Sequence, residues 1–65
     1  MGAQNAIIEV DDGRVFCGWD MYGDIVLKSP ENKKYAYRMS RTLAMRTVPK
    51  VEAVAKSTCH ITNAL

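Results

Sequence analysis

Residues 6–19 read Ala-Ile-Ile-Glu-Val-Asp-Asp-Gly-Arg-Val-Phe-Cys-Gly-Trp, and this stretch decides the fold. Two β-rich runs flank Asp12-Gly13, a dipeptide that supplies the positive backbone angles of a two-residue hairpin turn. Such a turn pairs Val10 with Val15, and side chains alternate between the two faces of each strand. One face is therefore predicted to be uniformly apolar and to form the core: Ala6, Ile8, Val10, Val15, Cys17 and Trp19.

The opposite face of the hairpin mixes charged and apolar side chains. The same register pairs Glu9 with Phe16 and Asp11 with Arg14, a composition typical of a partly solvated antiparallel surface. A chain this short has a marginal core, and an apolar outer face gives a second copy a place to pair. A homodimer is thus possible, with candidate contacts at Ile7, Phe16 and Val26.

A third strand follows the hairpin. Residues 20–23 predict a second turn, because Gly23 tolerates backbone angles that other residues avoid, and residues 24–28 predict a strand. The simplest arrangement is an antiparallel meander with strand 14–19 in the centre. Ile25 and Leu27 then join the core face.

Helices are expected to cover that core face. Ser29-Pro30-Glu31 predicts a helix start, since it combines a cap, a proline suited to the first turn and an acid near the positive end of the helix dipole. Apolar residues at helical spacing continue the helix to residue 46. Pro49 is expected to break it near Thr47-Val48 and to begin a shorter helix over 49–58. Residues 58–62 fit a fourth strand or a helical extension equally well.

The predicted fold is a single small α+β domain spanning residues 1–65. Its three-stranded antiparallel sheet, formed by residues 5–10, 14–19 and 24–28, packs against one or two C-terminal helices. No apolar run of about 18 residues is present to cross a bilayer. The N-terminus lacks the charged and apolar regions of a signal peptide. We expect a cytoplasmic protein with no membrane partner.

The residues that carry chemistry are few. One histidine, two cysteines without a CxxC spacing and no glycine-rich phosphate loop predict no metal, no cofactor and no enzymatic activity. Cys17 and Cys59 are interpreted as small buried hydrophobes, and the sequence leaves open whether they lie close together. Cys59 and His60 are adjacent, so on a strand they point to opposite faces and form no nucleophilic pair.

Charge is distributed unevenly. Residues 1–27 carry five acids and one arginine, net −4, whereas residues 28–65 carry eight basic residues and two acids, net +6. Acids on the turns of a rigid sheet can meet a basic site on a partner protein. The candidate protein-interaction residues are Glu9, Asp11, Asp12, Asp20 and Asp24 with Phe16 and Tyr22, and Trp19 is a further possible anchor although the core is its expected place.

Basic and aromatic residues alternate on the predicted helix 30–46. Positive charge along one helix face can track phosphates, and neighbouring aromatic rings can stack on unpaired bases. The candidates for contact with nucleic acid or an acidic partner are Lys33, Lys34, Tyr37, Arg38 and Arg41.

No motif in the chain matches a known family. In size, single-domain economy and lack of catalytic residues, the sequence resembles the short open reading frames of phages and mobile elements, anti-CRISPR inhibitors among them. That resemblance implies a small inhibitor that occludes a functional surface of a host protein, and a surface that binds nucleic acid is one candidate. The alternatives are a small nucleic-acid-binding or regulatory module that uses the basic helix, and a structural subunit of a homo-oligomer.

Overall fold

The computed structural model describes residues 4–64 and has an α+β fold. Four strands form one antiparallel sheet in the order β3-β2-β1-β4. The three predicted strands are confirmed, and residues after 58 form a fourth strand that pairs with β1. The elements in chain order are β1 (Ala6–Val10), β2 (Val15–Trp19), β3 (Ile25–Lys28), a 3₁₀ helix (Pro30–Tyr35), α1 (Arg41–Ala55) and β4 (Cys59–Asn63).

The hairpin between β1 and β2 has a three-residue loop instead of the predicted two. Gly13 N–H donates to Val10 C=O at 2.8 Å and Val10 N–H donates to Arg14 C=O at 2.8 Å, with Gly13 at φ 104°. The Asp12 carboxylate accepts the Arg14 N–H at 3.0 Å and so stabilises the longer loop. Because of the extra loop residue, Glu9 pairs with Val15, and the predicted pairing of Glu9 with Phe16 is wrong.

This shift of one residue exchanges the two faces of β2. Phe16 was predicted on an outer face and lies instead in the main core between the sheet and α1, with no exposed surface. Val15 and Cys17 turn to the other face and pack with Ile7 and Ala36. The predicted outer face of Ile7, Phe16 and Val26 does not exist, since Ile7 and Phe16 are buried in different clusters.

The segment after the 3₁₀ helix bridges β1 and β2 where these strands no longer pair. Met39 exchanges two backbone hydrogen bonds of 2.9 Å with Ala6, and Tyr37 N–H donates to Phe16 C=O at 2.9 Å. These tertiary hydrogen bonds hold residues 36–40 extended, so the predicted helix over 30–46 is wrong. Helix α1 begins only after Ser40, whose hydroxyl accepts the Leu43 N–H at 3.2 Å.

Pro49 lies inside α1 and does not end it. A proline removes one backbone donor from the helix, but buried residues before and after it keep the helix on the sheet. The helix ends at Lys56, which has a left-handed conformation with φ 55°. The predicted break at 47–48 and the separate helix over 49–58 are therefore wrong. The buried residues of α1 are Ala44, Thr47, Val51 and Ala55.

Within residues 4–64, no helix has the length and apolar character that a membrane span requires.

Candidate functional site

The loop between β2 and β3 is held rigid by hydrogen bonds to one residue, Asp20. Its carboxylate Oδ1 accepts the N–H groups of Tyr22 at 2.8 Å and Asp24 at 3.0 Å. Its backbone accepts from Gly23 N–H at 3.0 Å and donates to Asp24 C=O at 2.9 Å. The backbone is fixed, while the side chains of Met21 and Tyr22 are 87% and 81% exposed.

Two aromatic rings stand where β2 enters this loop. The Trp19 and Tyr37 ring centroids are 5.3 Å apart, and they lie 5.1 Å and 5.9 Å from the centroid of buried Phe16. Trp19 is 45% exposed and Tyr37 41% exposed, so the expectation that Trp19 lies in the core is wrong. We call Trp19, Met21, Tyr22 and Tyr37 the loop patch.

Gly18 explains why the Trp19 side chain contacts Phe16, although strict alternation along β2 would place it on the same face as Cys17. The pairing of β2 with β3 shifts register between Phe16 and Trp19, and Gly18 between them has φ 92°. Such a bulge re-aims the following side chain. The Tyr37 ring also lies against Gly18, 3.3 Å from the point where a Cβ would stand.

The structure does not gather the predicted acids into one edge. Asp20 and Asp24 flank the loop patch, whereas Asp11 and Asp12 lie at the opposite end of β2, on the hairpin loop. Asp12 forms an ion pair with Arg14 at 2.8 Å. Within the described residues, 4–64, Asp20 and Asp24 form no ion pair, which leaves their negative charge available at the loop patch.

Glu9 and Asp11 belong to a separate cluster centred on His60. The ring Nδ1 lies 2.9 Å from Asp11 Oδ1 and the ring Nε2 lies 3.2 Å from Glu9 Oε1, while Lys33 Nζ lies 2.8 Å from Glu9 Oε2. The hydrogen bond to Asp11, supported by that to Glu9, raises the pKa of His60. The pKa of Glu9 is lowered, mainly by Lys33, and that of Asp11 is lowered by the Thr58 hydroxyl and then by His60.

This cluster predicts a pH-dependent contribution to stability. A raised folded pKa means that the contribution of His60 is full below its ordinary pKa of 6.5 and is lost as the pH rises through the folded value. His60→Gln should therefore lower the urea midpoint more at about pH 5 than at about pH 9. Equal losses at both pH values would contradict a charged His60 in the folded state.

Three predicted basic residues share one pocket. Lys33, Lys34 and Arg38 line a cavity of about 280 Å³ with Ile7 and Ala64. Lys34 Nζ also lies 5.2 Å from the centroid of the Tyr35 ring. The remaining two candidates lie elsewhere, since Tyr37 belongs to the loop patch and Arg41 donates to Asn63 Oδ1 at 3.2 Å.

The cysteines are both free, and burial raises the pKa of each thiol. Across the part of the chain that the structure describes, no group of three His, Cys, Asp or Glu side chains is placed to hold a metal ion.

Met21 was not among the predicted site residues, although sequence signals for its loop were present. Asp20 and Gly23 mark a tight turn, and a glycine inside a strand marks a bulge. Predicting that Trp19 is half-exposed would have required the position of Tyr37, which no local sequence pattern contains.

Comparison with known proteins finds no matching family model, no similar curated protein and no similar solved structure.

Proposed function

We propose that this chain is a non-enzymatic binding protein that docks its loop patch onto a basic surface of a partner protein and occludes that surface. The observation that carries the proposal is the hydrogen-bonded loop that follows β2. Met21 and Tyr22 on this loop are strongly exposed, and the loop begins after Trp19, which is half-exposed and in ring contact with Tyr37. In this role the chain acts as an inhibitor of the kind that phages and mobile elements encode.

The residue types of the loop patch support protein binding. Tryptophan, tyrosine and methionine are enriched at interfaces, and tryptophan and tyrosine often contribute most of the binding energy. The loop backbone is already ordered by the hydrogen bonds to Asp20, so binding loses little conformational entropy. Trp19 and Tyr37 rest on buried Phe16, which fixes the base of the patch.

Charge supports the choice of a basic partner surface. Asp20 and Asp24 flank the loop patch, and neither is neutralised by an ion pair within residues 4–64. Acids at the rim of an interface accelerate association with a basic surface. Proteins that handle nucleic acids carry such surfaces, so an inhibitor with this patch can occupy a site built for phosphates.

The state of the titratable groups supports a non-enzymatic function. Both ring nitrogens of His60 are engaged by carboxylates, which leaves neither free to take a proton from a substrate. Burial raises the pKa of the Cys17 and Cys59 thiols, which disfavours the thiolate, the nucleophilic form.

The loop patch can be tested by comparing two double variants. Immobilised wild-type protein and Met21→Ala/Tyr22→Ala would be exposed to host lysate, and the captured proteins quantified by mass spectrometry. A partner of the loop patch should be lost from the variant, with its affinity reduced about tenfold or more. The matched control is Leu43→Ala/Val54→Ala, which removes two exposed apolar side chains from α1 and should retain the partner.

The acids are tested separately with the same partner. Asp20→Asn/Asp24→Asn keeps the Oδ1 acceptor that orders the loop, so its effect reports charge. Association should slow and lose part of its salt dependence, with dissociation nearly unchanged. A partner retained by both loop variants would place the binding surface elsewhere.

A second candidate function, nucleic-acid binding, is favoured by the basic pocket. Lys33, Lys34 and Arg38 converge there, and Tyr35 is exposed beside Lys34. Gel shifts with single-stranded DNA and RNA at low and high salt distinguish the two functions. Nucleic-acid binding is favoured if the shift depends steeply on salt and is weakened by Lys34→Ala/Arg38→Ala. Met21→Ala/Tyr22→Ala should then leave the shift unchanged.

A further inference from the structure

Strand β4 is an edge of the sheet with unpaired backbone groups. Asp11 N–H donates to Thr58 C=O, and Ala64 N–H donates to Asn5 C=O. Since hydrogen-bonded pairs alternate along antiparallel strands, His60 and Thr62 direct their N–H and C=O groups toward β1. Cys59, Ile61 and Asn63 direct theirs to the open side, and the Cys59 N–H indeed reaches Glu52 Oε2 at 2.9 Å.

Apart from Glu52, which accepts the Cys59 N–H, the open edge of β4 lacks the features that keep strands from pairing with other chains. Such features include lysine, proline, bulges and very short strands. The opposite edge strand, β3, has only four residues and ends in exposed Lys28. In contrast, β4 has five residues, Cys-His-Ile-Thr-Asn, and is in continuous register with β1.

Helix α1 runs antiparallel to β4 along this edge. Near its C-terminal end Glu52 accepts the Cys59 N–H, and at its N-terminal end Arg41 donates to Asn63. Between these contacts lies an open groove of about 460 Å³, lined by Met45 and Val48 of α1 and by residues 59–61. Met45 is 64% exposed, so the edge offers an apolar centre between a positive and a negative end.

This edge is complementary to itself. Four residues of α1 face it at intervals of four, three and four positions: Arg41, Met45, Val48 and Glu52. The order charged, apolar, apolar, charged is the same in both directions, with a positive charge at one end and a negative charge at the other. A two-fold axis through Ile61 would set Arg41 opposite Glu52 of a second copy, and Met45 opposite Val48 of that copy. Every charge on this stripe then meets its opposite.

We propose that β4 pairs antiparallel with β4 of a second copy of this chain, centred on Ile61, to form a two-fold symmetric dimer with a continuous eight-stranded sheet. Cys59 then pairs with Asn63 of the second copy. Glu52 releases the Cys59 N–H and forms an ion pair with Arg41 of that copy. Because α1 packs over both β1 and β4, and neighbouring strands lie about 4.8 Å apart, the two helices stand about 10 Å apart, a normal packing distance.

This inference is independent of the proposed function. The loop patch is built on the β2–β3 loop, at the other side of the sheet from β4, with Tyr37 against Trp19, and it stays exposed in the dimer. A dimer would therefore present two copies of the patch to a partner.

Charge reversal tests the dimer through its molar mass, measured by sedimentation equilibrium over a wide range of protein concentration. Wild type should reach twice the 7.3 kDa of one chain. Arg41→Glu and Glu52→Arg should each raise the dimer dissociation constant about tenfold or more, since each sets two like-charge pairs face to face. The double variant Arg41→Glu/Glu52→Arg should restore dimerisation.

Two further variants complete the test. Asn63→Pro removes an outward donor without touching a bond to β1, and it should weaken the dimer while circular dichroism stays native. Lys50→Glu makes the same charge change as Arg41→Glu on an exposed α1 residue outside the stripe, and it should leave the dimer intact. A monomeric wild type would overturn the proposal. The proposal would also be overturned if the single reversals of Arg41 and Glu52 left the dimer unchanged, or if the double variant failed to restore dimerisation.

Discussion

Replacement of Phe16 by alanine is expected to lower the free energy of unfolding by about 3–5 kcal/mol, the usual cost of removing a buried aromatic side chain. Phe16 has no exposed surface and supports the Trp19 and Tyr37 rings from beneath. A domain of this size has a total stability of roughly 3–10 kcal/mol, so much of it would be lost. Urea unfolding followed by the fluorescence of Trp19, the only tryptophan, measures the change.

The control for Phe16→Ala is Leu43→Ala, because Leu43 is a large apolar residue that is 42% exposed. Its loss should cost less than about 1.5 kcal/mol. The comparison also tests the register of the β1–β2 hairpin. If both variants lost the same small amount of stability, Phe16 would lie on a solvated face, as the two-residue hairpin loop predicts.

Gly18→Val is expected to lower the free energy of unfolding by about 2–6 kcal/mol, the sum of backbone strain and overpacking. Gly18 has φ 92°, a conformation that β-branched residues avoid. A Cβ there would stand 3.3 Å from the Tyr37 ring, so the larger valine side chain must displace that ring. Urea unfolding gives the loss, and near-ultraviolet circular dichroism reports the displaced aromatic rings.

Gly23→Val is the matched control for Gly18→Val. Gly23 has a similar φ of 81°, but no atom beyond its own chain neighbours lies within 4 Å of the position of its Cβ. Only the strain remains, about 1–3 kcal/mol, and the near-ultraviolet spectrum should stay unchanged. Equal effects of the two substitutions on stability and spectrum would contradict the contact between Gly18 and Tyr37.

The sequence by itself determined the local elements. Alternating and β-branched residues around Asp12-Gly13 predicted β1 and β2, and the turn at residues 20–23 predicted β3. These predictions succeed because turn chemistry and strand propensity act within a few residues. The same local signals identified Tyr22 and the two acids of the β2–β3 loop as candidates, although their role in binding remains a prediction.

The tertiary structure alone decided where those elements go. The additional loop residue of the hairpin, Asp11, placed Phe16 in the core, and the bulge at Gly18 brought Trp19 beside Tyr37. Residues 36–40 have helical spacing, yet backbone hydrogen bonds to Ala6 and Phe16 hold them extended. Helix α1 continues through Pro49 because residues on both sides of it are buried against the sheet. The last three of these outcomes depend on partners distant in sequence, and the free energy of those contacts exceeds the local preference of the chain.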